Sequence, residues 1–172
     1  SDEQIATATA ARGYDQNSLK WSPKTPTTKL DLNEDTSFIA EFTKGSYDYS
    51  IEYYYDGVKG KTDTKNAAFE EVITLNPDVS VTYGGSPYAL DKVKNNPLTI
   101  DTDNKKNIIK VYYSKDENKD QIPDKYQIKV MYKAVNGTID AVHENEPGNK
   151  MFYVILYKNS EYATVEDGGI GH

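Results

Sequence analysis

The chain has 172 residues, a formal net charge of −7 and no cysteine. The acidic balance lacks the basic surface that nucleic-acid binding requires, and the absence of cysteine excludes thiol catalysis, disulfide bonds and cysteine-ligated zinc. A hydrophobic content of 37% with a mean hydropathy of −0.77 favours several small modules over one large core. No apolar run is long enough to span a bilayer, so we expect no membrane insertion.

The first predicted unit, residues 1–44, combines a short helix with strands. Residues 2–12 have the pattern of a helix that Gly13 ends. Trp21, the only tryptophan, is interpreted as a core anchor in a short apolar element. Apolar and aromatic side chains alternate over residues 38–42, which predicts a strand.

The second predicted unit, residues 45–114, is rich in strand signals. Residues 47–55 carry large apolar or aromatic side chains at every odd position, and the turn signal Asp56-Gly57 follows directly. Residues 108–113 form the strongest predicted strand of the chain, with Ile109, Val111 and Tyr113 on one face. Shorter alternations predict further strands over residues 69–75 and 79–83.

The third predicted unit, residues 126–172, follows a charged joint at residues 115–125. Strands are predicted over residues 126–132 and 151–157, with a turn signal between them at Asn136-Gly137. The last ten residues carry no strand signal, so we expect this unit to be truncated.

An internal repeat links the second and third units. The pattern Tyr49-x-Ile51-x-Tyr53-x-Tyr55 aligns at a constant offset with Tyr126-x-Ile128-x-Val130-x-Tyr132, and a glycine turn follows each copy. Alternation of this kind is common in strands, so the two segments can also be first strands of unrelated β units.

The first unit resembles the Listeria–Bacteroides repeat of the internalin B-repeat type. The resemblance covers residues 1–44 and is carried by Gly13-Tyr14, Leu19-Lys20-Trp21-Ser22-Pro23 and Asp35-Thr36-Ser37-Phe38-Ile39-Ala40-Glu41-Phe42. The leading strand of that family, which precedes its helix, has no counterpart here.

The second unit is similar to the mucin-binding-protein (MucBP) type of repeat in Gram-positive surface proteins, through residues 49–57 and 107–113. The third unit resembles a trailing module of the same architectures, through residues 135–138 and 154–157. The resemblance implies tandem β-grasp-like (ubiquitin-like) modules with short helices, which is a mainly β or α+β fold. It also implies export, wall attachment and a stalk or adhesive role.

The charged joint has the spacing of a calcium loop. Asp116, Asn118, Asp120 and Asp124 occupy positions 1, 3, 5 and 9, where such loops place oxygen ligands, and the Ile122 carbonyl is available at position 7. Gln121 replaces the usual glycine at position 6, and Gln127 replaces the usual bidentate glutamate at position 12. A weak calcium site that stiffens the joint is one interpretation, and a solvated acidic linker is the other.

A tyrosine cluster suggests a carbohydrate-binding surface, because sugars stack on exposed aromatic faces. The candidate ligand-binding residues are Tyr53, Tyr55 and Tyr113. Since alternate side chains of a strand must point into the core, the same tyrosines can instead be core or cover an open sheet face.

Enzymatic motifs are missing, so we expect no catalytic residue and no cofactor other than calcium. His143 stands in His-Glu-Asn-Glu, which is not the zinc-binding His-Glu-x-x-His motif. We expect a non-catalytic spacer excerpt of an extracellular, cell-wall or cell-surface adhesin-type protein that is monomeric. The alternative is an adhesion module that binds host or environmental glycans, mucins in particular.

Overall fold

The computed structural model describes residues 5–26, 35–138, 144–146 and 149–155, and over these residues the fold is mainly β, as expected. The helical elements described are three single 3₁₀ turns, at Gln16–Ser18, Asn104–Lys106 and Asp124–Tyr126. The described strands are β1 (Lys20–Ser22), β2 (Ile39–Glu41), β3 (Ser46–Tyr55), β4 (Val58–Ala68), β5 (Val72–Ile73), β6 (Ser80–Tyr83), β7 (Ser86–Lys94), β8 (Leu98–Thr99), β9 (Ile108–Lys115), β10 (Gln127–Lys133), β11 (Glu144–Glu146) and β12 (Asn149–Ile155).

The helix predicted over residues 2–12 is wrong for its described part, residues 5–12, which contains no helix. The side chain of Gln16 accounts for this. Its Oε1 accepts the backbone N–H of Ala10 at 2.7 Å, and its Nε2 donates to the carbonyl of Ala8 at 3.0 Å. These two bonds satisfy backbone groups that a helix would otherwise pair internally.

The fold divides into two compact units. Unit 1 comprises Ser1–Ile51, Thr62–Leu75 and Asn95–Ile109, and unit 2 comprises Glu52–Lys61, Asn76–Lys94 and Lys110–His172. Strands β3, β4 and β9 each contribute residues to both units. The predicted module boundaries along the chain stay a prediction.

Unit 1 packs its core around Phe69. The rings of Tyr14 and Tyr47 meet Phe69 edge-on, with centroids 6.3 and 6.2 Å away. Gly13 lies against the same ring with φ +86°, and a Cβ there would come within 2.2 Å of it. Short antiparallel pairs, β1 with β2 and β5 with β8, complete the unit. Trp21, the predicted core anchor, is half-buried on β1 opposite Ala40.

Unit 2 contains an antiparallel hairpin, β6 with β7, and β7 in turn pairs antiparallel with β9. The register shifts between Leu90 and Lys92, so Asp91 is the extra residue of a β-bulge. Strand β10 pairs antiparallel with β12, which also pairs with β11. Residues 156–172 lie outside the described residues, and so does the predicted truncation of the third unit.

The long sheet has the strand order β4-β3-β9-β7-β6. Two of its three inner strands, β3 and β9, run parallel. In unit 1 the N–H of Ser50 donates to the carbonyl of Asn107, and in unit 2 the N–H of Asp56 donates to the carbonyl of Tyr113. The bonded positions advance by the same number of residues on both strands, which only parallel strands allow.

The burial of side chains on β3 and β9 confirms the alternation predicted from the sequence. Tyr49, Ile51 and Tyr55 on β3 are buried, as are Ile109, Val111 and Tyr113 on β9. The predicted turn at Asp56-Gly57 is present, and both residues have positive φ, at 49° and 82°. Strand β4, which follows this turn, was not predicted because its side chains are polar and mostly exposed.

The two copies of the predicted repeat differ in burial. Tyr49 and Ile51 lie in the core, whereas Ile128 and Tyr132 are 45% and 51% exposed and Tyr126 belongs to a 3₁₀ turn. True repetition therefore stays a prediction.

Candidate functional site

The loop of residues 116–127 connects β9 to β10 within unit 2. It contains all five residues of the predicted calcium site. Asp116 is 1% exposed, and its N–H donates to the carbonyl of Pro87 at 3.1 Å. The loop therefore begins at a carboxylate held below the surface.

The chain winds around the Asp116 carboxylate. Its Oδ1 accepts the N–H of Asp120 at 3.2 Å, and its Oδ2 accepts the N–H of Gln121 at 2.8 Å. Gln121 has φ 70° and Lys119 has φ 57°. Gln121 thus adopts the left-handed conformation for which calcium loops usually use glycine, at some conformational cost.

Asp120 is the centre of a second set of contacts. Its Oδ1 accepts the N–H of Ile122 at 3.0 Å. Its Oδ2 accepts the side-chain amides of both Asn118, at 2.9 Å, and Gln127. The amide oxygens of Asn118 and Gln127 are buried and have no hydrogen-bond partner.

Asp124 and Ile122 occupy the outer part of the loop. The Asp124 Oδ2 accepts the N–H of Glu117 at 2.9 Å, which closes the loop across its base. Ile122 is half-buried, next to the fully buried Pro123. The structure thus brings the predicted residues into one loop and adds Gln127 to them.

Burial raises the pKa of the Asp116 carboxyl, and the neighbouring Asp120 carboxylate raises it further. The backbone N–H groups of Gln121 and Asp120 oppose this shift because they stabilise the charged form. Two facing acidic groups near a low-dielectric interior disfavour double ionisation, and a bound cation would relieve that repulsion.

A buried polar contact anchors the end of the loop to the bulge in β7. The Asp91 carboxylate accepts the hydroxyl of Tyr126 and pairs with Lys125 Nζ, each at 2.5 Å. The Asp91 side chain is 5% exposed. Sequence reasoning missed this contact, since Asp91 carries no motif and lies far along the chain from Lys125 and Tyr126.

The structure places the tyrosine candidates largely in the core of unit 2. Tyr55 is 9% exposed and Tyr113 3% exposed. The ring of Tyr55 stacks on Tyr83, with centroids 3.7 Å apart, and on Tyr113, at 5.7 Å. Rings covered in this way offer no open face to a sugar. Tyr53 is half-buried, with Lys61 Nζ 5.3 Å from its ring centroid.

Tyr113 is further fixed by its hydroxyl, which donates to the carbonyl of Asp78 at 2.7 Å. Burial, with smaller contributions from Asp78, Tyr53 and Tyr55, raises the pKa of Tyr113 to about 12. This tyrosine therefore behaves as a core residue with a satisfied polar end.

A different tyrosine pair lies on the opposite side of the strands. Tyr54 and Tyr112 stack with centroids 4.9 Å apart. Lys92 and Lys94 lie over the ring of Tyr112, at 5.1 and 5.4 Å, and Lys110 lies 5.8 Å from the ring of Tyr54. These cation–π contacts engage the ring faces within the protein, so glycan binding here stays a prediction.

Within the residues that the structure describes, no three His, Cys, Asp or Glu side chains come together as a metal cluster. An ion in the loop would therefore need amide and carbonyl oxygens beside its carboxylates.

The described residues also contain no helix long and apolar enough to cross a membrane. His143 lies outside them.

No protein-family model matches the chain, and neither a curated protein nor a solved structure shows significant similarity to it. The resemblance to surface-protein repeats therefore remains an expectation based on the sequence motifs.

Proposed function

We propose that this chain is a non-catalytic, load-bearing spacer segment of a bacterial cell-surface protein. It would act outside the cell, at the wall, and hold a distal domain away from it. The location follows from the resemblance to repeat modules of Gram-positive surface proteins. The mechanical role is supported by the geometry of the long sheet.

The observation that carries the proposal is the parallel pairing of β3 with β9. The chain enters the pair at Ser46, the first residue of β3, and leaves it at Lys115, the last residue of β9. Because the strands are parallel, tension applied at these two points slides one strand along the other. All the hydrogen bonds between them then carry the load together, whereas opening from one end would break them one at a time.

The edge strand β4 also suits a module that must remain separate from its neighbours. Ten-residue β3 and eleven-residue β4 form a long hairpin at the side of the sheet. Strand β4 exposes Lys59, Lys61 and Lys65 together with two threonines, and its Asp63 is half-buried. Charged side chains on an edge strand, lysine especially, discourage pairing with another chain.

For the fold in finer detail we propose a β-grasp-like core. Its support is that the first and last strands of residues 46–115 are adjacent and parallel at the centre of the sheet. The helix that would complete such a core is not found among the described residues, where each helical element is one turn long.

Single-molecule force spectroscopy tests the load-bearing role. The chain has no cysteine, so pairs of introduced cysteines define the points of attachment. Ser46→Cys with Lys115→Cys applies shear to β3 and β9. Val58→Cys with Lys115→Cys is the matched control, because Val58 follows the turn after β3 and tension there opens the pair from one end. Val58 is 69% exposed, and Ser46 and Lys115 are exposed too.

We expect the shear pair to break at a several-fold higher force than the control pair, with equal stability of both variants in urea. Equal rupture forces in the two geometries would contradict the load-bearing role.

A further inference from the structure

Three lysines lie together on one face of the sheet in unit 2. In the ladder between β7 and β9, Lys92 is paired with Tyr112 and Lys94 with Lys110. Lys92 and Lys94 lie over the ring of Tyr112, and Lys110 lies over the ring of Tyr54 that stacks on it. We call Lys92, Lys94 and Lys110 the lysine face.

We propose that the lysine face binds a sulfated polysaccharide. The inference does not rest on the spacer role, because it concerns the side chains of β7 and β9 and not the pairing of β3 with β9. Lys92 and Lys94 are exposed and Lys110 is half-buried, so the three ammonium groups are open to a ligand from solution.

The position of these lysines is unfavourable for the sheet alone. Lys94 stands directly opposite Lys110, and Lys92 follows two residues away from Lys94 on the same strand. Like charges at directly opposed positions destabilise a sheet. The chain has 27 acidic and 20 basic residues, so its composition does not account for a lysine pair at this place. Anionic groups bound between the lysines would remove the repulsion.

No carboxylate of the described residues forms an ion pair with the lysine face. The described ion pairs belong to Arg12, Lys59, Lys115 and Lys125. The nearby carboxylate of Glu52 has other partners: it accepts the hydroxyl of Tyr54 at 2.9 Å and pairs with Lys59 Nζ at 3.3 Å. The rings beneath the lysines stabilise the ammonium groups but do not neutralise them. The lysine face therefore keeps a local positive charge in an acidic protein.

The spacing of the lysines favours a densely charged ligand. Residues two apart on a strand are about 7 Å apart, and the Cβ atoms of opposed residues are about 5 Å apart. Three ammonium groups this close together need anionic groups on the same sugar or on adjacent sugars. A sulfated polysaccharide carries such groups, whereas a polysaccharide charged only by widely spaced carboxylates does not.

The residue type also favours sulfate over carboxylate. Arginine recognises a carboxylate through two parallel hydrogen bonds from its planar fork, whereas lysine acts as a compact point charge. The lysine face consists of lysines alone. It therefore suits an anion that is recognised by its charge and has several equivalent oxygens, as a sulfate ester has.

The tyrosines argue against a nucleic acid as the partner. Proteins that bind single strands stack the bases on aromatic side chains. Tyr54 and Tyr112 stack on each other with centroids 4.9 Å apart, and the lysines lie over their rings. Duplex DNA requires a larger basic surface than three lysines in a chain with a net charge of −7.

Isothermal titration calorimetry of the whole chain tests the proposal, with heparin oligosaccharides of one defined length as the probe. The comparison ligands are desulfated heparin, hyaluronan, which is charged by carboxylates only, and a DNA duplex. We expect saturable heparin binding that weakens with salt, with a slope of about 2–3 in a double logarithmic plot, because three ammonium groups release counterions. Each comparison ligand should bind at least about tenfold more weakly.

Two double variants locate the binding surface. Lys92→Gln with Lys94→Gln should weaken heparin binding about tenfold or more, because two charge contacts are lost. Lys65→Gln with Lys105→Gln is the matched control. It changes the net charge by the same amount at two exposed lysines of unit 1, and the affinity should stay within about twofold. Urea unfolding should show both variants to be folded, since all four side chains are exposed.

Absence of heparin binding at low salt would overturn the proposal. Equal affinities for heparin and for hyaluronan or desulfated heparin would do so as well, since sulfate would then not be recognised. Binding of DNA as tight as that of heparin would indicate a general polyanion surface and would contradict the proposed partner. An equal loss of affinity in the two double variants would attribute binding to the overall charge. None of these results would affect the force measurements on β3 and β9.

Discussion

Asn107 is a fully buried polar residue, with 0% exposure, just before β9. Its Oδ1 accepts the N–H of Asp101 at 2.8 Å, and its Nδ2 donates to the carbonyls of Asp101, at 2.7 Å, and Asp48, at 3.2 Å. One side chain thus satisfies three backbone groups of two segments of unit 1. Its sequence context gives no sign of this role.

Replacing Asn107 by alanine should destabilise the protein by about 3 kcal/mol, because three buried backbone groups lose their partners at roughly 1–3 kcal/mol each and water recovers part of the loss. Urea unfolding followed by circular dichroism measures this. Asn66→Ala is the matched control. The Asn66 amide bonds the Asp48 carboxylate at 3.0 Å in an exposed position, and its loss should change the unfolding free energy by less than about 0.5 kcal/mol. If both substitutions changed the unfolding free energy by similar amounts, the three hydrogen bonds of Asn107 would not stabilise the fold as proposed.

Among the elements, β7 has two structural roles. It pairs with β6 and β9, and its Asp91 contacts the loop that follows β9. The bulge at Asp91 interrupts its pairing with β9 and turns a carboxylate toward the 3₁₀ turn at Asp124–Tyr126. Bulges re-aim side chains in this way. A charged group that is shielded from water needs a partner. Tyr126 and Lys125 provide the partners of the buried Asp91 carboxylate.

Replacing Tyr126 by phenylalanine should lower the free energy of unfolding by about 1–3 kcal/mol, because a buried carboxylate loses a charge-assisted hydrogen bond while the ring remains. Tyr88→Phe on β7 is the control. Its ring meets Tyr55 edge-on, with centroids 5.3 Å apart, and this contact survives the substitution. We expect a change below about 0.5 kcal/mol for Tyr88→Phe. If Tyr126→Phe changed the free energy of unfolding as little as Tyr88→Phe does, the contact with Asp91 would not stabilise the loop.

At the scale of the whole molecule, charge and tyrosine content together determine the response to pH. The chain carries a net charge of −7 near neutrality and has 15 tyrosines, so alkaline pH adds repulsion as tyrosines ionise. Tyr113 has a pKa raised to about 12 by burial, whereas an unfolded tyrosine titrates near 10. Its contribution to stability is therefore fully present below about pH 10 and is lost as the pH rises toward 12.

Urea unfolding between pH 8 and pH 11.5 measures this loss. We expect the native chain to lose stability more steeply above pH 10 than Tyr113→Phe, because phenylalanine does not ionise. The variant should be less stable at pH 8, since it lacks the bond to the Asp78 carbonyl. Parallel pH profiles above pH 10 would show that Tyr113 titrates as an exposed tyrosine does.

The sequence by itself determined the mainly β class, the strands β3 and β9 and the turn at Asp56-Gly57. These follow from local chemistry: side chains of a strand alternate between two faces, and a tight hairpin turn needs residues that tolerate positive φ. The spacing of Asp116, Asn118 and Asp120 likewise indicated one loop. Strand β4 gave no such signal, because a polar strand at the edge of a sheet buries little.

Only the tertiary structure decided the rest. The helix signal of residues 5–12 failed because Gln16 takes up the backbone groups of Ala8 and Ala10. Whether a tyrosine is core or surface depended on which strand lies beside it. The Tyr55 ring is buried because Tyr83 and Tyr113, which belong to other strands, stack on it. The parallel pairing of β3 with β9 and the contact of Asp91 with Tyr126 join residues far apart in the chain. Such contacts arise from chain topology, which local patterns of polarity do not contain.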